Sequence, residues 1–286
     1  MITVPQAFFQ SGNTEIVFRS GNNAFVRKRA SVNNPDNDRY VSAHALTMVD
    51  RGELLLRVPD GPTIKVAAGS MVLIPKGIYM ISDIIPETAL FEARVLFFTP
   101  ELIADFVKEI GIAAVEALPE PAIFSSNHSA LTNFFKALSN AHASMPAEYV
   151  EWKMKELLLL LTHLDDRFKE LIAALNNVHK EGIQPFMERN FDKPLKLDDY
   201  AALTGRSIAS FHRDFKRQFG VAPKTWLTQR RMDLARQRLE REEISVQELA
   251  ISSGYESVSH FIKSFQAQFG VSPKQLQIQA KSRIDI

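Results

Sequence analysis

The 286-residue chain is 45% hydrophobic, which is enough for two domains of ordinary size with separate cores. It has no cysteine, which excludes disulfides, thiol chemistry, iron–sulfur clusters and cysteine-based zinc sites. Residues 180–286 carry 18 Lys and Arg against 13 Asp and Glu, whereas residues 1–179 carry 16 against 20. A basic C-terminal part suits a polyanionic partner.

The first 98 residues are predicted to form short strands separated by turn-forming residues. The predicted strands cover residues 24–30, 44–49, 53–58, 63–66, 71–74 and 89–98. Between them lie turn sequences such as DRG, PDGP, AGS and PKG. Even spacing of short strands is typical of a small barrel or sandwich.

Helices are predicted after residue 98, where Thr99, Pro100 and Glu101 provide an N-cap, a first-turn proline and a first-turn acid. The predicted helices end near residue 110 and then cover 129–143 and 147–164. The last one carries an apolar stripe that suits either core packing or a subunit interface: Val150, Met154, Leu157, Leu158 and Leu161. The polar run NNVHKEG predicts a boundary between residues 1–175 (strands 1–98, helices 99–175) and 176–286.

The C-terminal part contains an internal repeat. The segment LDDYAALTGRSIASFHRDFKRQFGVAPKTW, which begins at Leu197, resembles VQELAISSGYESVSHFIKSFQAQFGVSPKQL, which begins at Val246. The offset changes from 49 to 50 residues just after the glycine, so the added residue falls in a turn. Flanking helices therefore keep their pattern.

Each copy has the parts of a helix-turn-helix. A short helix, at 197–203 or 246–252, is followed by a glycine that permits the tight turn. A serine N-cap then opens a second helix with phenylalanines on its inner face. Between the copies, residues 224–240 have one helical pattern and predict a rod of roughly 24 Å. This spacer predicts second helices about one DNA turn, roughly 34 Å, apart.

This repeat resembles the DNA-binding domain of the AraC/XylS family of regulators over about residues 183–275. The residues that carry the resemblance include Ala201, Gly205, Phe215, Gly220, Pro223, Arg231, Met232, Ala235, Leu239, Ile244, Ala250, Gly254, Phe261, Phe265, Phe269, Gly270 and Pro273. The strand-rich front half resembles, by pattern only, the cupin-like sensor domain common in that family. The implied fold is α+β and multidomain, with a cupin-like β-barrel and helices before an all-α domain of two helix-turn-helix units.

The resemblance implies a sequence-specific transcription regulator, expected to be an activator, and not an enzyme. Implied partners are double-stranded promoter DNA, RNA polymerase, a second copy of the chain in a homodimer, and either a small-molecule effector or a regulatory protein. No cofactor or metal is expected. The N-terminus lacks a signal-peptide pattern and no stretch reaches the length of a membrane span, so we expect a cytoplasmic protein without membrane contact.

Base contacts are predicted on the outer faces of the two second helices. The first helix offers Ala209, His212 and Arg213, which share one face at i, i+3 and i+4, and the resemblance implies the same positions. Arg213 could pair with guanine, and Ala209 offers only a methyl contact with thymine. The second helix offers Val258, Ser259, Ile262 and Lys263. Candidate backbone contacts are Ser207, Lys216, Arg217, Lys224, Arg230, Arg231 and Ser257.

The apolar pair Val258 and Ile262 has two readings: contact with thymine methyls or sugars, or partial burial against the barrel domain. For His260, beside Phe261, we expect a packing or capping role. Candidates for an effector pocket are His44, Arg57 and Arg94. Convergence of several strand cations inside the barrel would favour an anionic effector, although alternation places many of them outside.

Two other functional classes are considered. A metal-dependent cupin enzyme fused to a DNA-binding module would need clustered histidines and a carboxylate, whereas His44 is the only histidine in the strand region. A DNA-repair methyl acceptor can carry the same DNA-binding unit, but its chemistry needs a nucleophilic cysteine, which this chain lacks. Both classes are therefore disfavoured.

Overall fold

A computed structural model describes residues 2–31, 34–59, 61–85, 90–116, 120–138, 145–177, 181–255 and 257–284. The chain divides into two compact units, Met1–Val178 and His179–Ile286. The strands of the first unit are β1 Ile2–Val4, β2 Thr14–Ser20, β3 Asn23–Ala30, β4 Asn34–Val41, β5 His44–Arg51, β6 Glu53–Arg57, β7 Thr63–Ala67, β8 Ser70–Ile74, β9 Gly77–Ile84, β10 Phe91–Phe98 and β11 Ala122–Ser125. Its helices are α1 Gln6–Gln10, α2 Pro100–Ile110, α3 Ser129–Ala137, α4 Ala147–Leu164 and α5 Asp166–Leu175.

The strands form a five-stranded sheet in the order β1-β4-β9-β6-β7 and a six-stranded sheet in the order β11-β8-β5-β10-β3-β2. Pairing is antiparallel except between β1 and β4. Both sheets are open. The mixed α+β class is therefore confirmed for this unit, whereas closure into a cupin-like barrel is not.

The six-stranded sheet is buried on both faces. In β10, Val95 and Phe97 join a core cluster shared with the five-stranded sheet. Leu96 and Phe98, which alternate with them, join a second cluster formed with α2 to α5. Because successive side chains point to opposite faces, this near-continuous apolar strand separates two cores. The first unit thus has three layers: sheet, sheet and helices.

The apolar stripe on α4 belongs to the second of these clusters. Val150, Met154, Leu157, Leu158 and Leu161 are all buried within the first unit. Core packing is therefore the outcome for this stripe, and a subunit interface built on it is contradicted. The exposed apolar side chains of the helix are Trp152 and Leu159.

The strands predicted at 24–30, 44–49, 53–58, 63–66 and 71–74 are confirmed within a few residues. The predicted strand 89–98 corresponds to β10, with Ala89 outside the described residues. The helix predicted at 129–143 ends at Ala137, and residues 139–144 are not described. The prediction missed β1, β2, β4, β9, β11, α1 and α5.

The second unit is helical in its described part. Its helices are α6 Ile183–Asn190, α7 Leu197–Leu203, α8 Ile208–Phe219, α9 Pro223–Arg241, α10 Val246–Ser252, α11 Val258–Phe269 and α12 Pro273–Ile284. The first helices predicted for the two copies have the bounds of α7 and α10. The predicted linker helix extends by one residue at each end as α9, and α6 was not predicted.

Candidate nucleic-acid interface

Each repeat folds as a helix-turn-helix whose turn depends on a glycine. Gly205 has φ 68° and Gly254 has φ 79°, a left-handed conformation that most side chains disfavour. The second helices then begin at serine N-caps, as predicted. Ser207 Oγ accepts the Ser210 amide at 3.3 Å, and Ser257 Oγ accepts the His260 amide at 3.4 Å.

A row of phenylalanines fixes the inner face of each second helix. Phe211 and Phe215 are fully buried in α8, with ring centroids 5.6 Å apart. Phe261 and Phe265 occupy the matching positions in α11, 5.8 Å apart. Buried rings on one side leave the opposite side of each helix facing solvent, where a groove of DNA can reach it.

The outer face of α8 is polar and exposed. Ala209, His212 and Arg213 are all exposed, as are the cationic side chains of Lys216 and Arg217. The Arg213 guanidinium donates to Ser210 Oγ at 3.3 Å. This single weak bond leaves four of the five guanidinium N–H groups available for a base or phosphate.

Arg217 is more constrained. Its Nη2 donates to Asp214 at 3.0 Å, and the same carboxylate accepts from Arg206 Nε at 3.3 Å. Arg206 also donates to the carbonyl of Thr204, in the turn. Asp214 therefore couples the turn to the helix and partly neutralises Arg217, whose side chain is still 70% exposed.

The outer face of α11 differs from its counterpart. Ser259 and Lys263 are exposed, whereas Val258 and Ile262 are half-buried against the core of their own helix-turn-helix unit. Val258 and Ile262 are therefore partly buried, and the described packing is against the core of their own helix-turn-helix unit. Only the remaining exposed part of each side chain can meet DNA.

Sequence reasoning missed one polar residue on this face. Gln266 is exposed and lies three residues after Lys263 and seven after Ser259, so the three share a helix face. Its alignment with Lys216 of the first repeat is the signal that could have identified it. His260 is exposed with its ring centroid 5.4 Å from that of Tyr255, consistent with the predicted packing role.

The candidate phosphate contacts fall into two groups. Lys224 and Arg230 are exposed on α9, and the Arg230 guanidinium also lies 4.9 Å from the Phe191 ring centroid. Arg231 is half-buried and donates to the carbonyls of Phe191 and Lys193. These bonds occupy Nε and Nη2 and turn part of the guanidinium toward the protein, and the phosphate contact of Arg231 stays a prediction.

The three effector-pocket candidates have local partners. His44 is buried, and its Nδ1 accepts the Lys76 amide at 3.1 Å. Burial, helped by the charge of Lys76, lowers the pKa of His44 to about 3. Arg94 forms a bidentate ion pair with Asp50, and Arg57 is exposed on β6 with Nη1 3.3 Å from a methionine sulfur.

A different set of charges converges inside the first unit. Lys28 and Arg39 both contact one carboxylate oxygen of Asp83, and all three are buried. They line a cavity of about 30 Å³ whose other walls are mostly apolar. Burial and the nearby Arg39 lower the pKa of Lys28 to about 8 despite the opposing effect of Asp83.

Two atoms of this cluster lack a partner within the described ranges. They are Arg39 Nε and Asp83 Oδ1, both buried. The three effector candidates do not line this cavity, whose described walls include Lys28, Arg39 and Asp83. In the described part of the chain, no group of three or more His, Asp and Glu side chains is arranged to hold a metal ion. No described helix has the length and hydropathy needed to cross a membrane.

Comparison with known proteins gives matches in both units. Residues 200–279 match the family described as a helix-turn-helix domain, and residues 44–173 match the ExsA N-terminal regulatory domain. The HTH-type transcriptional regulator ExsA of Pseudomonas aeruginosa is 27% identical over 219 residues, 73% of this chain and 77% of that protein.

Other relatives match less of the chain. The virulence regulon transcriptional activator VirF of Yersinia enterocolitica is 30% identical over 120 residues, 41% of this chain and 44% of that protein. Among solved structures, apo ToxT from Vibrio cholerae aligns with 91% of this chain and 99% of its own at 12% identity, with a TM-score of 0.44. ExsA and VirF are named as transcription regulators and not as enzymes. The sequence matches confirm the resemblance carried by the repeat.

Proposed function

We propose that this chain, which belongs to the AraC family of transcription regulators, binds promoter DNA through both helix-turn-helix units and activates transcription, with RNA polymerase as a partner. The observation that carries this proposal is the exposed polar face of α8 opposite its buried phenylalanines. The activator names of its relatives support the direction of control.

Base reading is assigned mainly to the first helix-turn-helix unit, α7 and α8. Arg213 can form two hydrogen bonds with the major-groove edge of guanine, His212 can form one, and Ala209 can contact a thymine methyl. In the second unit, Ser259 and Lys263 are assigned polar contacts, with Val258 and Ile262 limited to their exposed edges. The first helix-turn-helix unit should therefore supply more of the sequence specificity.

The test of this function is selection of bound duplexes from a random library by the full-length protein. We expect one motif in which the strongest positions belong to a single half, because Arg213 offers the best bidentate donor. Arg213→Ala should weaken conservation at one base pair of that half. Recovery of no motif, under any salt condition, would remove the proposed mechanism.

The first unit, over residues 1–175, is proposed as the sensor and dimerisation domain, and residues 176–286 as the DNA-binding domain. The two facing sheets of the proposed sensor domain support a cupin-like architecture. Control is assigned to a small-molecule effector or a regulatory protein. The buried cluster of Lys28, Arg39 and Asp83 holds two cations against one carboxylate, and this excess favours a small anionic effector.

Thermal unfolding of the full-length protein with a panel of small carboxylates tests this assignment. A binder should raise the unfolding temperature of wild type and not of Arg39→Met, since binding to the native state stabilises it. Equal shifts in both proteins would place the binder elsewhere. If no acid shifts either protein, control by a regulatory protein is favoured.

A homodimer is proposed through the exposed face of α4. In an antiparallel pairing about a two-fold axis between Lys155 and Glu156, each of these residues faces the other on the partner helix, and Lys155 also pairs with Glu109 of α2 in its own chain. The same axis places Trp152 opposite Leu159, the two exposed apolar side chains of the helix. A two-fold interface must be self-complementary in this way.

A charge swap tests the pairing. Lys155→Glu alone should weaken the dimer because it sets like charges opposite each other, and adding Glu156→Lys should restore it. Light scattering after size-exclusion chromatography measures the molar mass of each variant. A dimer unaffected by Lys155→Glu would contradict this interface, and a wild-type monomer would contradict the dimer itself.

A further inference from the structure

The side chain of Arg231 lies where the two helix-turn-helix units meet. It projects from the linker helix α9 and is half-buried. Its Nε donates to the Phe191 carbonyl at 2.8 Å, and its Nη2 donates to the Lys193 carbonyl at 2.6 Å. Both acceptors belong to the segment that joins α6 to α7, ahead of the first turn. The planar guanidinium is thus anchored to the first unit by two bonds in different directions.

A buried tyrosine completes this anchor. The Tyr200 hydroxyl donates to the Asn190 carbonyl at 2.8 Å and lies 3.3 Å from Arg231 Nη2. Burial raises the pKa of Tyr200 to about 12, so the hydroxyl keeps its proton and remains a donor at neutral pH. The chain around α6 and α7 is therefore held to the linker helix by a connected polar network.

The opposite side of the same guanidinium faces the second helix-turn-helix unit. A Cβ atom built on Gly254 would lie 3.0 Å from Arg231 Nη1, so the turn backbone approaches this group closely. Gly254 has φ 79°, so its lack of a side chain serves both the turn and this approach. The Arg231 side chain therefore binds the first helix-turn-helix unit and lies close to the turn of the second.

Two other residues of the linker helix, Trp226 and Asp233, each contact one helix-turn-helix unit. Trp226 packs on Phe215 and Phe219 of the first unit, with ring centroids 5.7 and 5.1 Å apart. Asp233 accepts a hydrogen bond from Gln268 of the second unit at 3.1 Å. These contacts hold both helix-turn-helix units to one continuous helix, and Arg231 adds a link that reaches both of them.

We propose that Arg231 is a positioning residue that sets the rotation between α8 and α11 and thereby the spacing of half-sites that the protein accepts. It binds no DNA atom in this role. Adding one base pair between half-sites moves the second half-site by about 3.4 Å and rotates it by about 35° around the duplex. A fixed rotation between the units rejects such a site, whereas a loosened one tolerates it. The inference rests on the proposed DNA-binding function.

The experiment compares binding of full-length variants to duplexes of altered spacing. The probe is the duplex selected by wild type from a random library, together with versions that have one base pair inserted or deleted between the half-sites. We expect wild type to bind the altered duplexes about tenfold or more weakly, as for loss of a base contact. Arg231→Met, which keeps the length of the side chain and removes its donors, should show a penalty at least about threefold smaller.

Matched variants separate positioning from charge and from folding. Arg231→Lys keeps the charge without the planar fork, so it should behave like Arg231→Met. The adjacent exposed Arg230→Met should weaken binding to all duplexes equally and leave the spacing penalty unchanged. Tyr200→Phe removes only the hydroxyl beside the fork and should reduce the penalty more mildly, which keeps the test available if Arg231→Met does not fold.

An unchanged spacing penalty in folded Arg231→Lys and Tyr200→Phe would overturn the proposal. So would a uniform loss of affinity in Arg231→Lys, since this is the behaviour of a phosphate contact. Failure of wild type to select any motif would instead overturn the proposed function. The two failures are therefore distinguishable.

Discussion

The salt dependence of DNA binding should reveal how unequally the two units hold the phosphate backbone. The first helix-turn-helix unit and the linker helix present four exposed cations that are candidates for phosphate contact: Lys216, Arg217, Lys224 and Arg230. The second helix-turn-helix unit presents Lys263 and the exposed Lys274, which is the counterpart of Lys224 fifty residues later. Each phosphate contact contributes about −0.9 to the slope of log affinity against log salt concentration. The first unit should therefore account for about −3.6 of the slope and the second for about −1.8.

The double variant Lys216→Gln/Arg217→Gln should reduce the magnitude of the slope by up to about 1.8. Between about 50 and 200 mM salt, wild type should then lose up to about twelvefold more affinity than the variant. Lys216 should contribute the larger part, because Arg217 is already paired with Asp214. Fluorescence anisotropy with a labelled selected duplex measures the slope.

Arg236→Gln is the matched control. Arg236 is half-exposed on α9 and pairs with Glu240 at 3.0 Å, and it is not among the proposed phosphate contacts. Its removal changes the net charge by one without a change in slope. A slope unaltered by the double variant, or reduced as much by the control as by Lys216→Gln alone, would refute the assignment of contacts to α8.

Three further predictions concern single side chains. Arg213→Ala should cost about 1–3 kcal/mol with the selected duplex and little with a duplex that already lacks the cognate base pair, as measured by competition binding. Phe215→Ala should destabilise the helical domain of residues 176–286 by about 3–5 kcal/mol, seen by urea unfolding through the fluorescence of the adjacent Trp226, and a loss below about 1 kcal/mol would contradict its core role. His44 has a pKa lowered from 6.5 to about 3, so the unfolded chain binds the proton that the native chain rejects. The contribution of His44 to the free energy of unfolding should be fully present above pH 6.5 and should decrease as the pH falls below that value. His44→Asn, whose side-chain oxygen can accept the Lys76 amide, should make this decrease smaller in urea titrations between pH 7 and about 5.

The helices of the second unit were readable because several local signals agree. The repeat, the serine caps and the phenylalanines three or four residues apart all indicate the same boundaries. The bounds of α7 and α10 follow from these signals, and α9 extends its predicted range by only one residue at each end. Local chemistry therefore determines the helices of the repeat and the linker, whereas α6 and α12 were not predicted.

Strand β4 shows why the strand-rich unit, Met1–Val178, was harder to predict. Its sequence NPDNDRYV is rich in residues that disfavour strands, yet it pairs with β1 on one side and β9 on the other. Partners this distant in sequence override local preference. The same limit applies to Lys28 and Arg39, which meet at Asp83 across 55 and 44 residues.

The outer face of α11 was only half predictable. A helical pattern identifies which side chains point away from Phe261 and Phe265, but it does not show how far the core extends around the helix. Val258 and Ile262 are reached by that core, and Gln266 is not. Arg231 likewise reads as one more cation in a basic helix, because its carbonyl acceptors lie about 40 residues away.

Hydroxyl-radical footprinting of the full-length protein on its selected duplex tests the central claim most directly, that both units bind one face of the DNA. Two protected patches should appear, centred about 10 base pairs apart on the same face. Arg213→Ala should weaken the patch assigned to the first unit more than the other. One patch alone, or two patches offset by half a turn, would contradict a paired arrangement of α8 and α11.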